Sequence, residues 1–327
     1  AQAFLEAFSS AAGKPGPPSW AAAAAMRYCT FELGGKAFAG VVDGDRIVPF
    51  PGHTSVREVL EAGEAGRALA AQVLAAAQTS IKLSEAKLLP PVPNPDKVLC
   101  VGLNYRDHAE HSGAEIPKAP RVFNKFGSSL VGCRAPIRQT VTEPKDQCLD
   151  WEVEQIVVVG KRASCVPEAE AWAHVGGYMT GNDVSERMWQ LGGKNGPLWT
   201  FGKGFDTSGV CGPWLVTADE VTPEQATNMD VKCWYNGELV QSSNTKQHIF
   251  TVPQVIAHVS KMITLLPGDL IYMGTPMGTA VETAQKLGGF KNVKWMRPGG
   301  VLKTEVVGLG VCENTIMSHE DYLKARL

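Results

Sequence analysis

The stretch Leu149-Asp150-Trp151-Glu152-Val153-Glu154-Gln155-Ile156-Val157-Val158-Val159-Gly160 sets two carboxylates two positions apart at the head of an apolar run. In an extended strand residues i and i+2 share a face, so Glu152 and Glu154 point the same way into a region whose later members are apolar. Two neighbouring buried carboxylates repel and resist ionisation, and an oxygen-ligated Mg²⁺, Mn²⁺ or Ca²⁺ between them relieves that conflict. A solvated edge strand explains a bare Glu-x-Glu as well, but the long apolar continuation favours burial. Asp183, in Gly181-Asn182-Asp183-Val184-Ser185-Glu186-Arg187, offers a third oxygen ligand. Residues 178–182 read as the end of a strand and Asp183 as the start of a helix, so an N-cap role is its alternative.

On that helix Arg187 and Gln190 are three positions apart and share a face, an arrangement that suits a carboxylate-bearing substrate, with a solvated face as the ordinary alternative. Lys203 stands between glycines and aromatics in Phe201-Gly202-Lys203-Gly204-Phe205, where burial lowers a lysine's pKa or a carboxylate partner fixes its charge. No phosphate-loop pattern accompanies those glycines. Gly274-Thr275-Pro276-Met277-Gly278 follows an apolar strand and is placed either to line a site with backbone amides or to form a plain turn. His108, in Asn104-Tyr105-Arg106-Asp107-His108-Ala109-Glu110-His111, is a candidate general base because its ordinary pKa lies near neutrality, although an isolated histidine is more often structural.

These groups need a frame. Residues 1–26 are rich in Ala, Ser and Pro and read as a tail or targeting remnant, poor in acids but also in the arginines a targeting sequence carries. Residues 27–92 read as a small unit: a β meander (27–33, 38–42, 46–48) with a turn at Gly34-Gly35, then one or two helices over 55–78 with Thr54 as a possible N-cap. The proline-rich segment 89–95 interrupts both kinds of element and marks the boundary to a catalytic unit spanning 93–327. There short β-rich runs dominate (98–101, 153–159, 231–235, 270–273, 302–307), with clear helical patterns only at 167–173, 185–191 and 253–260, which predicts a mixed sheet or β-roll with peripheral helices.

Composition narrows the function classes. The chain has 327 residues, and Lys+Arg 31 against Asp+Glu 33 gives a net charge of -2, without the basic excess that nucleic-acid binding needs. No apolar run approaches the roughly 18 residues that cross a bilayer. The 8 cysteines include no C-x-x-C pair, and no Asn-x-Ser/Thr sequon occurs, so reduced, mostly buried thiols in a reducing compartment are expected.

Taken in order, Gly102-Leu103-Asn104-Tyr105 with His108, Asp150-Trp151-Glu152-Val153-Glu154, Asn182-Asp183-Val184-Ser185, Gly202-Lys203-Gly204-Phe205-Asp206-Thr207, Gln241-Ser242-Ser243-Asn244-Thr245 and Gly274-Thr275-Pro276 resemble the fumarylacetoacetate hydrolase superfamily, especially its domain-containing protein 2 group. The resemblance covers roughly residues 97–280. It implies an α+β fold, the fumarylacetoacetase C-terminal-like mixed β-sandwich roll, assembled as a homodimer. It also implies Mg²⁺ or Mn²⁺ on Glu152, Glu154 and Asp183, Lys203 in the active site and Arg187 and Gln190 on the substrate; Thr275 is a further substrate-binding candidate, Arg106 or Arg187 would hold a second substrate carboxylate, and Lys203 or His108 would move the proton. The implied reaction is tautomerisation of the keto-dicarboxylate oxaloacetate, mitochondrial if the source is eukaryotic and otherwise cytoplasmic. Acylpyruvate hydrolysis, oxaloacetate decarboxylation and a non-catalytic metal-binding scaffold are the alternatives.

One departure bears on the choice. Hydrolase relatives carry His-x-x-Glu in the segment matching 104–111, but the residue three after His108 is His111. Glu110 is turned by about 100° from the needed direction on a helix. Either Glu110 or Glu115 reaches His108 through an irregular backbone, or the water-activating pair is missing; the second reading is preferred here and leads to an expectation of weak hydrolysis.

Overall fold

A computed structural model describes residues 26–76, 79–140, 147–192 and 197–326. The tail expected over residues 1–26 lies outside the described residues except for Met26, which is buried and whose amide donates to Thr217 Oγ1. Among the described residues the architecture is α+β, a twelve-stranded sheet packed on a five-stranded one, with a separate two-stranded ladder.

The large sheet runs in the order Ile81–Lys82, Arg46–Pro49, Lys36–Asp43, Arg27–Leu33, Gly209–Thr217, Val175–Asp183, Val153–Val159, Leu270–Tyr272, Val98–Gly102 and Arg121–Lys125. The amino-terminal meander is therefore an extension of the main sheet, with Arg27 opposite Val216 and Tyr28 opposite Leu215. The proline-rich segment crosses that junction without loosening it: Val92 is buried, and the Pro91 carbonyl accepts a 2.6 Å bond from Thr30 Oγ1. The second sheet comprises Glu238–Asn244, Asp230–Tyr235, Val301–Val306, Gly310–Met317 and Ile137–Arg138.

Strand Val153–Val159 is buried along its whole length because both faces of the large sheet are covered. Val153, Val157 and Val159 pack between the sheets with Val231, Leu302 and Val306. Ile156 and Val158 face the other way, with Met179 and Tyr272, toward the helices Val56–Glu61 and Glu64–Ala75. The even positions of this strand thus share the face that Glu152 and Glu154 occupy.

Several local expectations are corrected. Asp183 ends the strand Val175–Asp183, and the helix that follows is only Arg187–Leu191, capped by Glu186, whose carboxylate accepts the Met188 amide. The strand continues through Asn182 and Asp183 because their backbones pair with Val153 and Gly209. Ser55 takes the N-cap position expected for Thr54, whose side chain and amide instead bond Glu58. The pattern at 167–173 is realised as a 3-10 helix, Glu168–His174.

Candidate metal and catalytic site

Pairing across the strands builds the acidic cluster. The Asp183 amide donates to the Glu152 carbonyl at 2.9 Å, and Glu154 lies opposite Gly181. Residues directly opposite in a sheet share a face, so all three carboxylates emerge together. Only glycine fits at position 181, since a Cβ there would stand 2.4 Å from Ile156 Cδ1. Ligand oxygens of Glu152, Glu154 and Asp183, all buried, come within 4.8 Å of one another.

Three bases meet these acids. Lys203 Nζ donates to Glu152 Oε2 at 2.7 Å and to Asp183 Oδ2 at 2.8 Å. Lys125, from the edge strand, reaches Asp183 Oδ1 at 2.7 Å. Arg187 Nη2 donates to Glu152 Oε1 at 2.6 Å, its Nε to Asp150 Oδ2 at 2.9 Å, and its Nη1 to Gln190 Oε1 at 2.7 Å. Burial opposes ionisation of Glu152, but Lys203 and Arg187 outweigh it and hold the carboxyl well below its usual range. Burial likewise opposes the charge on Lys203, and Asp183 and Glu152 more than restore it.

Glu154 differs. It accepts the Gly274 amide at 2.6 Å, and no salt bridge reaches it among the described residues. Burial first, then repulsion from Asp183 and Glu152, push its carboxyl well above the ordinary value. An all-oxygen cluster with one member lacking a counter-charge fits a hard divalent cation.

The cluster is braced from behind. Asp150 accepts the amides of Ala280 and Val281 at 2.8 and 3.0 Å, so it caps the helix Ala280–Lys286 while also holding Arg187. The Asn182 side chain accepts the Glu152 amide at 2.9 Å. Gln241 accepts from the Val153 amide and donates to Thr275 Oγ1, each at 2.9 Å, tying the turn after Leu270–Tyr272 to the carboxylate strand.

His108 lies on the helix Arg106–Ser112, and its Nδ1 is bonded to Glu282 of the helix that Asp150 caps. Glu282 is buried and also accepts the Gly278 amide at 2.6 Å. This corrects the expectation of a missing pair, and equally the idea that Glu110 or Glu115 supplies it, since both are exposed. Arg106 is exposed at the start of the same helix, with no ion-pair partner among the described residues.

The structure therefore gathers Glu152, Glu154, Asp183, Lys203, Arg187 and Gln190 into one buried network. Arg187, expected to face substrate, has its guanidinium engaged by Asp150, Glu152 and Gln190. Sequence reasoning misses Lys125 and Glu282 and leaves Asp150 without a role. A lysine in a short strand carries no signal of burial, and Glu282 is 174 positions from His108. Asp150 adjoins the Glu-x-Glu, and that adjacency is the signal that could have found it.

Comparison with known proteins bears on this geometry. Residues 97–317 match the fumarylacetoacetate (FAA) hydrolase C-terminal family, and residues 26–91 match the Rv2993c-like, N-terminal family. Over 278 residues the chain is 41% identical to oxaloacetate tautomerase FAHD2B, mitochondrial, of Bos taurus, covering 85% of this chain and 84% of that protein. Maleylpyruvate hydrolase from Sphingobium sp. SYK-6, solved in complex with manganese (II) ion and pyruvate, superposes with a TM-score of 0.73 at 26% identity, over 90% of this chain and 99% of that one. For 5-carboxymethyl-2-hydroxymuconate delta-isomerase from Mycobacterium smegmatis the TM-score is 0.68 at 26% identity, over 90% and 99%.

Proposed function

The chain belongs to the fumarylacetoacetate hydrolase family, and from that membership we propose that it is an isomerase interconverting enol- and keto-oxaloacetate at the cluster of Glu152, Glu154 and Asp183. The observation that carries this reading is Glu154, a buried carboxyl without a basic partner among the described residues, beside two carboxylates that have theirs. These three residues would hold Mg²⁺ or Mn²⁺, with Ca²⁺ as the alternative hard cation. When bound, the ion supplies Lewis-acid stabilisation to the negative charge on the substrate's keto oxygen.

The chain's own groups do the rest. Arg106 binds the distal carboxylate of the dianion. Ketonisation moves one proton from the enol oxygen to C3: the Lys203 ammonium delivers a proton to C3 and recovers the one that the enol oxygen releases. Thr275, its hydroxyl fixed by Gln241, orients the proximal carboxylate. Arg187 and Gln190 act one step back, as positioning residues for Glu152. Among the described residues no helix is long and apolar enough to cross a membrane.

The test is to follow the ultraviolet absorbance of enol-oxaloacetate with purified chain and Mg²⁺ or Mn²⁺, then with chelator. Decay in the metal-loaded sample no faster than in buffer would defeat the reading and leave a metal-binding scaffold. Arg106→Ala should raise KM for oxaloacetate about tenfold or more, the cost of one charge-assisted bond.

The His108–Glu282 contact favours a second activity, acylpyruvate hydrolysis, in which the histidine takes a proton from the attacking water. Following product pyruvate from acylpyruvates and from oxaloacetate separates hydrolysis and decarboxylation from tautomerisation. A homodimer is the proposed assembly, supported by the exposed Phe126, Trp199 and Phe201 beside the edge strand Arg121–Lys125, and light scattering measures it directly. The name of the Bos taurus relative, which says mitochondrial, supports a mitochondrial location in a eukaryotic source, and cytoplasm is the expectation otherwise.

A further inference from the structure

Away from the acidic cluster, two buried cysteines face each other where the chain crosses between the sheets. Leu130–Val131 belongs to the large sheet and Ile137–Arg138 to the five-stranded one, with Cys133 on the crossing between them. Ile137 pairs in parallel with Ile316 of strand Gly310–Met317, and the Arg134 amide continues that contact by donating to the Glu313 carbonyl at 3.1 Å. Asn314 Nδ2 fastens the crossing again, donating to the carbonyls of Gly132 at 2.9 Å and Ala135 at 2.7 Å. The same offset, 179 residues between Ala135 and Asn314, puts Cys312 beside Cys133.

The side chains meet as the register requires. The Cys133 thiol donates to the Val311 carbonyl at 3.5 Å, and the Cys312 side chain adjoins it closely enough that each shifts the other's titration. Gly212 closes the other side, its missing Cβ falling 3.8 Å from both the Cys133 amide and Cys312 Sγ. Neighbouring backbones in register bring their α-carbons within the range a disulfide spans.

We infer that Cys133 and Cys312 form a peroxide-reactive pair that closes to an intrachain disulfide, a modification site separate from the acidic cluster. The Cys133 thiolate attacks hydrogen peroxide: a sulfur–oxygen bond forms, the oxygen–oxygen bond breaks, and the released hydroxide takes a proton from solvent to become water. Cys312 then attacks the sulfenic sulfur, the disulfide forms, and the hydroxide leaves with the Cys312 proton as a second water. Two thiols are oxidised and one peroxide is reduced. The environment divides the roles. Donation from Cys312 leads, over the opposing effect of burial, with the Glu313 amide and Arg134 adding to it, and lowers Cys133 to about 6. Cys312, which holds its proton on Cys133 and is itself buried, is pushed up and resolves rather than attacks.

The test uses the full chain, freed of metal, exposed briefly to hydrogen peroxide near neutral pH, alkylated and digested with trypsin without reduction. Each cysteine sits alone in its peptide, Cys133 in 126–134 and Cys312 in 304–324. The expected product links these two peptides, lowers the free thiols of the denatured chain from 8 to six, raises Tm, and reverts with dithiothreitol. Cys312→Ser should abolish the link and leave a dimedone-reactive sulfenic acid on Cys133. Cys133→Ser should slow oxidation of Cys312 at least tenfold. Peroxide that oxidises the exposed Cys165 while 126–134 and 304–324 stay unlinked would overturn the assignment. The wild-type peptide map distinguishes these outcomes even if neither serine variant folds.

Discussion

The imidazole of His108 is held by the carboxylate of Glu282, a residue on a different helix 174 positions away. A histidine whose Nδ1 is fixed by a carboxylate presents Nε2 in one tautomer and one orientation. Glu282→Gln should therefore lower acylpyruvate hydrolysis by about 10²-fold, the scale of a weakened general base, while tautomerisation falls by less than about tenfold. Steady-state kinetics on both substrates check this, and equal losses on the two would show that Glu282 only supports the fold.

Glu154→Gln removes a carboxyl whose pKa burial and its acidic neighbours push well above the ordinary value. The metal-free variant should fold at least as well as wild type. Its response to Mn²⁺ should vanish: wild-type Tm rises with added ion through linkage, and the variant's should not. Thermal unfolding with and without ion, paired with calorimetric titration, reads both effects.

Lys203→Met leaves Glu152 and Asp183 with less counter-charge inside the protein. The sequence alone leads to an expectation of lost turnover with little change in stability, but two buried ion pairs make the structural cost substantial. Breaking buried pairs of this kind costs about 3–5 kcal/mol. Divalent ion should recover much of the metal-free variant's stability without restoring turnover. Urea titration with and without Mg²⁺ decides it; a variant as stable as wild type in chelator contradicts the burial argument.

His248 is buried edge-on against Tyr105, its ring centroid 4.7 Å away, and its Nε2 has no partner among the described residues. Burial lowers its pKa from 6.5 to about 3. The folded state then excludes a proton that the unfolded chain accepts below about 6.5, so this stability is complete above that pH and is lost as pH falls toward 3. His248→Phe keeps the aromatic contact without the titration. Measured at pH 7.5 and pH 4.5, the stability difference between variant and wild type should shift in the variant's favour by about 3 kcal/mol at the lower pH. A constant difference would mean that His248 titrates normally.

The parts legible in the sequence are those encoded locally. The Glu-x-Glu spacing and the apolar run from Glu152 to Val159 specify a strand and a shared carboxylate face, and Gly34-Gly35 marks the first hairpin. Asp183 stands out as a candidate ligand but reads as a helix start, because Asn182-Asp183 resembles a cap more than a strand. The spacing of Arg187 and Gln190 correctly puts them together, yet spacing does not say whether a helix face turns inward, and this one does. Lys125 and Glu282 depend on pairings between distant segments, and single-chain periodicity carries no information about those.

The seam between Arg27–Leu33 and Gly209–Thr217 makes the amino-terminal meander part of the same hydrogen-bonded ladder that holds Asp183, one strand further in. A protease cut in the proline-rich connector should therefore give a nicked protein whose two fragments co-elute and melt in a single transition. The two halves share one cooperative fate, and damage to the first strand should register as loosened carboxylates at the far side of its neighbour.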